Sequence, residues 1–290
     1  MTRVLASAPG KAVLSGEYAV LHGAPAICMA VNHRAIVSVT RLDRDWHSVS
    51  APGYSSVEGR FVTEGATPEW LQGENDYKLV DAAWRALDYC GDGGLAIELD
   101  TQAFFDDGSG AKLGLGSSAA LTVALTAALT RSSDVFGQAL KIHRQFQSGA
   151  GSGVDIATSV HGGLLEYRMQ GVQAAELRWP TGLDYRLVWT GVPASTAGKL
   201  KRLASAGSKR SRDALVSSAA GMADTWRSAS RVLAELPGYV ETLRQFSDDY
   251  KLGIFDAGHD KLVAAAHRAG LVYKPCGAGG GDVGILLGAH

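Results

Sequence analysis

Residues Ala111–Thr130, AKLGLGSSAALTVALTAALT, constrain the fold more than any other stretch of the chain. A Gly-x-Gly-Ser-Ser loop runs directly into a long apolar segment of helical character. Small residues let backbone approach a ligand closely, the serines offer hydroxyls, and the first N–H groups of a helix have no acceptor within it. Such an assembly is an anion site, best suited to phosphate. The plainer alternative is a tight turn into a buried helix, with Ser117 or Ser118 as its N-cap. Two familiar nucleotide loops fit less well. No G-x-x-x-x-G-K-[ST] occurs, and Gly114-Leu115-Gly116-Ser117-Ser118-Ala119 matches the loose G-x-G-x-x-A dinucleotide pattern in the wrong setting. FFDDGSGAK precedes it where a hydrophobic strand is required, and no strand-ending acid follows at the required distance.

Three further glycine-bearing segments bear on the chemistry. In Ala8–Ile27, APGKAVLSGEYAVLHGAPAI, Lys11 follows Pro9-Gly10 and stands beside Ala12, Val13 and Leu14, so its charge emerges from strand-like backbone. The usual fate of an isolated lysine is to snorkel to the surface. In Gln147–Gly163, QSGAGSGVDIATSVHGG, Asp155 follows a run of glycines and opens a helical pattern of Ile156, Ser159 and Val160. Its plain role would be a helix-start acid stabilised by the dipole. Lys274–Gly288, KPCGAGGGDVGILLG, sets bare backbone against a strand-like apolar run.

Periodicity supplies the frame. Ala26–Leu42 and Leu95–Gln102 alternate as strands, and Asp76–Cys90 places Leu79, Ala82, Ala83 and Ala86 on one helical face. Leu177–Gly191 reads as a strand pair broken by the turn signal Pro180-Thr181-Gly182, with a domain boundary beside it. Ser211–Leu236 and Tyr239–Tyr250 read as helices separated by Pro237-Gly238, and Gly258–Ala269 as a helix before the last glycine loop and its strand. With 290 residues, 46% of them hydrophobic, the chain can bury a sizeable core. Its 28 basic and 29 acidic residues give a net charge of −1, so no overall field recruits nucleic acid or an acidic membrane. Cys28, Cys90 and Cys276 are odd in number and far apart, which suits buried thiols in a reducing compartment better than disulfides or a Cys-x-x-Cys metal site. The first residues lack an apolar leader core and no stretch has the ~18 apolar residues of a membrane span, so a soluble cytoplasmic protein is expected.

In order and relative position, PGKAVLSGEYAV, KLGLGSSAALTVAL and CGAGGGDVGILLG resemble the three motifs of the GHMP kinases, the superfamily of galactokinase, homoserine kinase, mevalonate kinase and phosphomevalonate kinase. The resemblance covers essentially the whole chain. It implies an α+β, two-lobed GHMP kinase fold, with a ribosomal-protein-S5-like ATP-binding lobe over residues 1–176, a ferredoxin-like lobe over residues 177–290, and ATP between them. The finer wording resembles the phosphomevalonate kinases: GEYAV at Gly16–Val20, Lys112 just before the phosphate loop, His143-x-x-x-Gln147 ahead of GSGVD, WTGVPAST, and KPCGAGGGDVGI. Where mevalonate kinases carry a magnesium-binding Glu about eleven residues before the aspartate, this chain has Arg144.

The resemblance also implies residue roles. Gly114, Leu115, Gly116, Ser117, Ser118 and Ala119 would cradle the ATP phosphates, with Ser118 a ligand of Mg2+. Lys11, Asp155 and Lys112 would be catalytic. Ser152, Gly153, Gly277, Ala278, Gly279, Gly280 and Lys199 would face the acceptor, with Lys201 and Arg202 as further candidates for its phosphate. The implied reaction moves the γ-phosphoryl group of ATP to (R)-5-phosphomevalonate, giving (R)-5-diphosphomevalonate in isoprenoid biosynthesis. A phosphate monoester has a second pKa near ~6, so it arrives largely as a dianion and needs no general base. What it needs is positive charge to bring two anions together, and lysines with magnesium supply that. Asp155 would then hold Lys11 and the acceptor in place. A monomer or homodimer acting on small molecules, with no nucleic acid and no membrane, is expected. Mevalonate kinase, or another kinase or decarboxylase of the superfamily, is the alternative.

Overall fold

Residues 2–89, 93–130, 132–147, 149, 151–194, 196–203 and 208–290 are described by the computed structural model; Cys90 lies outside them, as do the side chains of residues 196, 197, 200 and 201. In chain order the elements are β1 (Arg3–Ser15), β2 (Ala26–Leu42), β3 (His47–Ala51), β4 (Ser55–Glu64), β5 (Thr67–Gln72), α1 (Lys78–Leu87), β6 (Gly94–Asp100), α2 (Ser117–Leu129), α3 (Val135–Phe146) and α4 (Val154–His161). There follow β7 (Leu164–Arg168), β8 (Gln173–Leu177), β9 (Leu183–Trp189), α5 (Thr196–Leu203), α6 (Lys209–Thr225), α7 (Ala229–Asp249), α8 (His259–Arg268), β10 (Val272–Pro275) and β11 (Val283–Ala289). The fold is the mixed α+β kind expected.

Two compact units share the chain. The first comprises Met1–Gly10, Val31–Phe105 and Gly116–Val160; the second comprises Lys11–Ala30, Asp106–Leu115 and His161–His290. In the first unit β2 pairs antiparallel with β6, β6 parallel with β3, and β3 and β4 antiparallel with β4 and β5. The inward residues of these strands, Val37, Val39, Val49, Phe61 and Ile97 among them, meet Val80 and Trp84 of α1, Val123 and Ala124 of α2, and Ala139 and Ile142 of α3 in one apolar core. The helical face expected of residues 76–90 is real, with Leu79 and Ala83 buried and Ala82 and Ala86 partly so.

In the second unit β9, β11 and β10 form an antiparallel sheet with β11 in the middle. The start of β2 pairs with β7, and β7 with β8. The turn at residues 180–182 is present, but β8 and β9 are not partners of each other: β8 pairs with β7 and β9 with β11. The expected helix break at Pro237-Gly238 is also corrected. Pro237 lies inside α7, and the chain breaks between α6 and α7 at residues 226–228. Pro237 and Gly238 face solvent, while Val232, Leu236, Tyr239, Val240 and Leu243 are buried on the other side. Burial of that face outweighs one missing N–H donor, worth roughly 3 kcal/mol in an isolated helix. Cys28 and Cys276 are buried, and neither is in a disulfide. Among the described residues no helix is long and apolar enough to cross a membrane.

Candidate active site

The second unit holds most of the expected site. The whole run Lys11–Val20 is buried, and Lys11 is only 9% exposed, so it does not snorkel. Its backbone N–H donates to the carbonyl of Leu115 at 2.8 Å, which ties β1 to the second glycine motif. At the other side, the Cys276 N–H donates to Val283 O at 2.9 Å, and the chain reverses through residues 277–282. Lys11, Gly114, Cys276, Gly277, Ala278 and Asp282 line one small pocket. A Cβ on Gly277, whose φ is +65°, would stand 3.6 Å from Lys11 Nζ. Bare backbone therefore borders the ammonium group, as close approach of a ligand requires.

Asp282 is the residue that sequence reasoning passed over. It is half-buried in this pocket, has a left-handed φ of +59°, and is locked by two hydrogen bonds. Its N–H donates to Val192 O at 2.7 Å, and its Oδ1 accepts the Ala194 N–H at 2.8 Å. Burial pushes its carboxyl above the usual range, against the pull of the Ala194 hydrogen bond and of Lys11, Lys199 and His259. The only signal available earlier was an acid directly after a glycine run. Cys276, beside Lys11, is pushed up to about 11 by burial, so it stays a neutral thiol.

Lys199, expected to meet an acceptor phosphate, donates to Ala278 O at 3.0 Å and Gly279 O at 2.5 Å. Burial lowers its pKa, with Asp256 and Asp282 partly offsetting. It closes over the carbonyls that the glycine loop presents. The Gly280 N–H donates to Ile254 O at 2.7 Å, fixing the other side of that loop. Arg202 is exposed and donates to Lys251 O at 3.0 Å; the Lys201 side chain is outside the described set. Lys112 is exposed in the segment before Gly114 and does not line the pocket.

In the first unit α2 begins at Ser117 with Gly116 as its N-cap, at φ +80° and without a side-chain cap. Ser117 and Ser118 are thus the first helical residues, not the cap. The Ser118 hydroxyl oxygen is buried with no hydrogen-bond partner, while its carbonyl accepts from Thr122 Oγ1 at 2.8 Å. A buried unpaired hydroxyl costs roughly 1–3 kcal/mol, so one kept at a phosphate loop calls for a bound partner. Ala119 is buried beneath it. Asp155 stands in the first turn of α4, where Ser152 Oγ accepts the Val154 N–H at 3.3 Å just before Gly153 meets the helix. His143 of α3 faces Asp155; burial lowers its pKa, with Asp155 pulling it up, and its Nε2 is buried without a partner.

Comparison with known proteins finds relatives that share these features. Residues 78–163 match the GHMP kinases N terminal domain. The chain is 29% identical to the phosphomevalonate kinase of a Streptomyces species, over 98% of this chain and 89% of that protein. It is also 29% identical to the mevalonate kinase of Mus musculus, over 98% of this chain and 86% of that one. The structure of Streptococcus pneumoniae phosphomevalonate kinase in complex with phosphomevalonate and AMPPNP superposes with a TM-score of 0.81 at 18% identity, covering 100% of this chain and 93% of that one. The matched N-terminal domain contains the serine loop and Asp155, and over its full length the chain has the fold of the GHMP kinase structures.

Proposed function

We propose that the chain transfers the γ-phosphoryl group of ATP to (R)-5-phosphomevalonate, giving ADP and (R)-5-diphosphomevalonate, as a cytoplasmic enzyme of isoprenoid biosynthesis. The observation that carries this reading is the buried Lys11 at a pocket walled by the bare backbone of Gly114 and Gly277. An ammonium held away from water beside open peptide groups suits an anion that has shed its hydration. The near full-length similarity to a phosphomevalonate kinase supports the same choice of acceptor.

Roles follow from chemistry. The N–H groups of Gly116, Ser117, Ser118 and Ala119, at a helix start with no side-chain cap, are suited to phosphate oxygens. Ser118 Oγ, buried and unpartnered, fits a magnesium ion that rides on the nucleotide. Magnesium keeps most of its shell from water and phosphate, so one hydroxyl is a sufficient protein ligand. Among the described residues no cluster of three or more His, Cys, Asp or Glu side chains could hold a metal. Bound there, the ion would neutralise charge on the phosphate chain. Lys11 stabilises charge on the transferred group, Lys112 offsets the second negative charge of the acceptor, and Asp155 orients the acceptor without needing to take its proton. In the second unit Gly277, Ala278, Gly279 and Gly280 are assigned to the acceptor, and Lys199 holds their loop; Ser152 and Gly153 of the first unit are assigned to it by the resemblance alone. The division into lobes over 1–176 and 177–290 belongs to the same proposal.

Mevalonate as acceptor is the second reading, favoured by mevalonate kinases of equal identity over the same share of the chain. ADP release measured in parallel with mevalonate, phosphomevalonate and diphosphomevalonate separates the two. Turnover confined to mevalonate refutes the proposal, and carbon dioxide release from diphosphomevalonate would make the chain a decarboxylase.

A further inference from the structure

We propose that the buried ion pair of Glu17 and Lys274, with Tyr239 as its third member, is a positioning device that sets Lys11 against the glycine loop at residues 277–281. Lys274 is 0% exposed, Glu17 5% and Tyr239 1%, and all three lie in the second unit. The Lys274 ammonium donates to Glu17 Oε1, to Pro275 O at 2.5 Å and to Val13 O at 3.4 Å. The other carboxylate oxygen, Oε2, accepts from the Tyr239 hydroxyl at 2.8 Å, and that hydroxyl accepts the Gly16 N–H at 2.8 Å. Burial, then the charge of Glu17, holds the phenol well above its ordinary range, so it remains a proton donor.

The addresses of these bonds carry the inference. Val13 and Gly16 belong to the strand that presents Lys11 and to its exit, and Pro275 ends the strand that leads into Gly277. Two bonds of the ammonium, to Glu17 and to Val13, therefore join the segment bearing the cation to the strand that leads into the bare backbone; the bond to Pro275 fixes the ammonium at the end of that strand, and the second carboxylate oxygen anchors Glu17 to α7 through Tyr239. Stability does not explain such a pair. Replacing a buried ion pair by apolar residues is often neutral or stabilising, because desolvation consumes most of the attraction. What apolar packing cannot give is a fixed direction and distance. A displacement of about 1 Å in a charge-stabilising group costs on the order of a hundredfold in rate, which is the scale at which this network acts.

The role rests on the reading that Lys11 works on a bound phosphoryl group, so its test needs a measurement that does not depend on turnover. Glu17→Gln, Lys274→Met, Tyr239→Phe and the double variant Glu17→Gln/Lys274→Met are compared with the parent. Three quantities are measured: melting temperature, kcat and KM for ATP, and the rate at which acetic anhydride modifies Lys11, located by mass spectrometry. Lys274→Met leaves a buried carboxylate unpaired and is expected to melt lowest, with the double variant above it. In every folded variant Lys11 is expected to acetylate several-fold faster, and kcat to fall at least about tenfold while KM for ATP changes little. If the singles do not fold, the double variant decides. A folded double variant with the parent's Lys11 acetylation rate and kcat would overturn the proposal. Faster acetylation in a protein whose parent phosphorylates none of the acceptors would keep the positioning role and reject the proposed reaction.

Discussion

A side chain on Gly114 would collide with Asp282: the absent Cβ falls 2.0 Å from Asp282 Cγ. Asp282 cannot step back, because its N–H and its Oδ1 are both engaged by the segment at Val192 and Ala194. The second and third glycine motifs thus meet as backbone against a locked carboxylate. Gly114→Ala combines a left-handed φ of +77° with this overlap, for an expected loss of about 2–4 kcal/mol. Asp282→Gly removes the obstacle and suits its own positive φ, so the double variant should recover a good part of that loss. A double variant that melts no higher than Gly114→Ala alone would show that the overlap is not the cause.

Ser118→Ala should separate stability from activity. The hydroxyl oxygen is buried and makes no hydrogen bond, so its removal takes away a desolvation cost and forfeits no bond. The variant is expected to melt at or above the parent's temperature. Turnover should nevertheless fall by about a hundredfold or more, the usual loss when one group aimed at developing phosphate charge is removed. A folded Ser118→Ala enzyme of parental activity would remove the metal role. A marked drop in melting temperature would mean that the hydroxyl is structural.

Much of this was legible in local sequence, and what was missed is non-local. β2 runs over the very residues whose alternation announced it, Ala26–Leu42, and α8 stops one residue inside each expected end. At residues 177–191 the turn chemistry was readable but the pairing was not, because the partners of β8 and β9 come from β7 and from β11 near the C-terminus. Pro237 misled because a proline signal is local, whereas the burial that carries α7 past it depends on what covers the opposite face. Lys11 and the three glycine motifs stood out by composition. Lys274 and Glu17 did not: 257 residues separate them, and nothing in the spacing of either announces the other.

His47 gives the first unit a defined acid limit. Its Nδ1 accepts the Leu95 N–H at 3.1 Å, which fixes the neutral tautomer, and its ring stacks on Phe61 at 4.7 Å and meets the edge of Trp84 at 4.6 Å. Burial, with Arg44 beside it, lowers its pKa to about 4. The folded group is depressed below the unfolded value of 6.5, so its contribution is full above pH 6.5 and is lost as pH falls towards 4. Within that window stability should decline by up to about 1.4 kcal/mol per pH unit from this residue. Denaturant titrations at several pH values, on the parent and on His47→Asn, measure its share. Equal slopes for the two proteins would show that His47 is not the group that titrates.

Lys112 separates a phosphate acceptor from an alcohol. It is exposed, two residues before Gly114, so Lys112→Met should change stability by no more than about 0.5 kcal/mol. A charge that remained in solvent would act only through screened attraction, which fades beyond about 10 Å at 0.1 M salt. A charge that closes on a dianionic acceptor would be shielded from salt by the ligand itself. With phosphomevalonate the variant should therefore lose at least about a hundredfold in turnover at saturating acceptor, and the gap should persist at high ionic strength. With mevalonate, which lacks that phosphate, any residual activity should be nearly equal in the two proteins. Convergence of parent and variant in high salt would reduce Lys112 to a steering charge. Equal activity with phosphomevalonate at every salt concentration, or a parent that prefers mevalonate, would end the phosphate-acceptor assignment and make Asp155 the candidate general base for an alcohol acceptor.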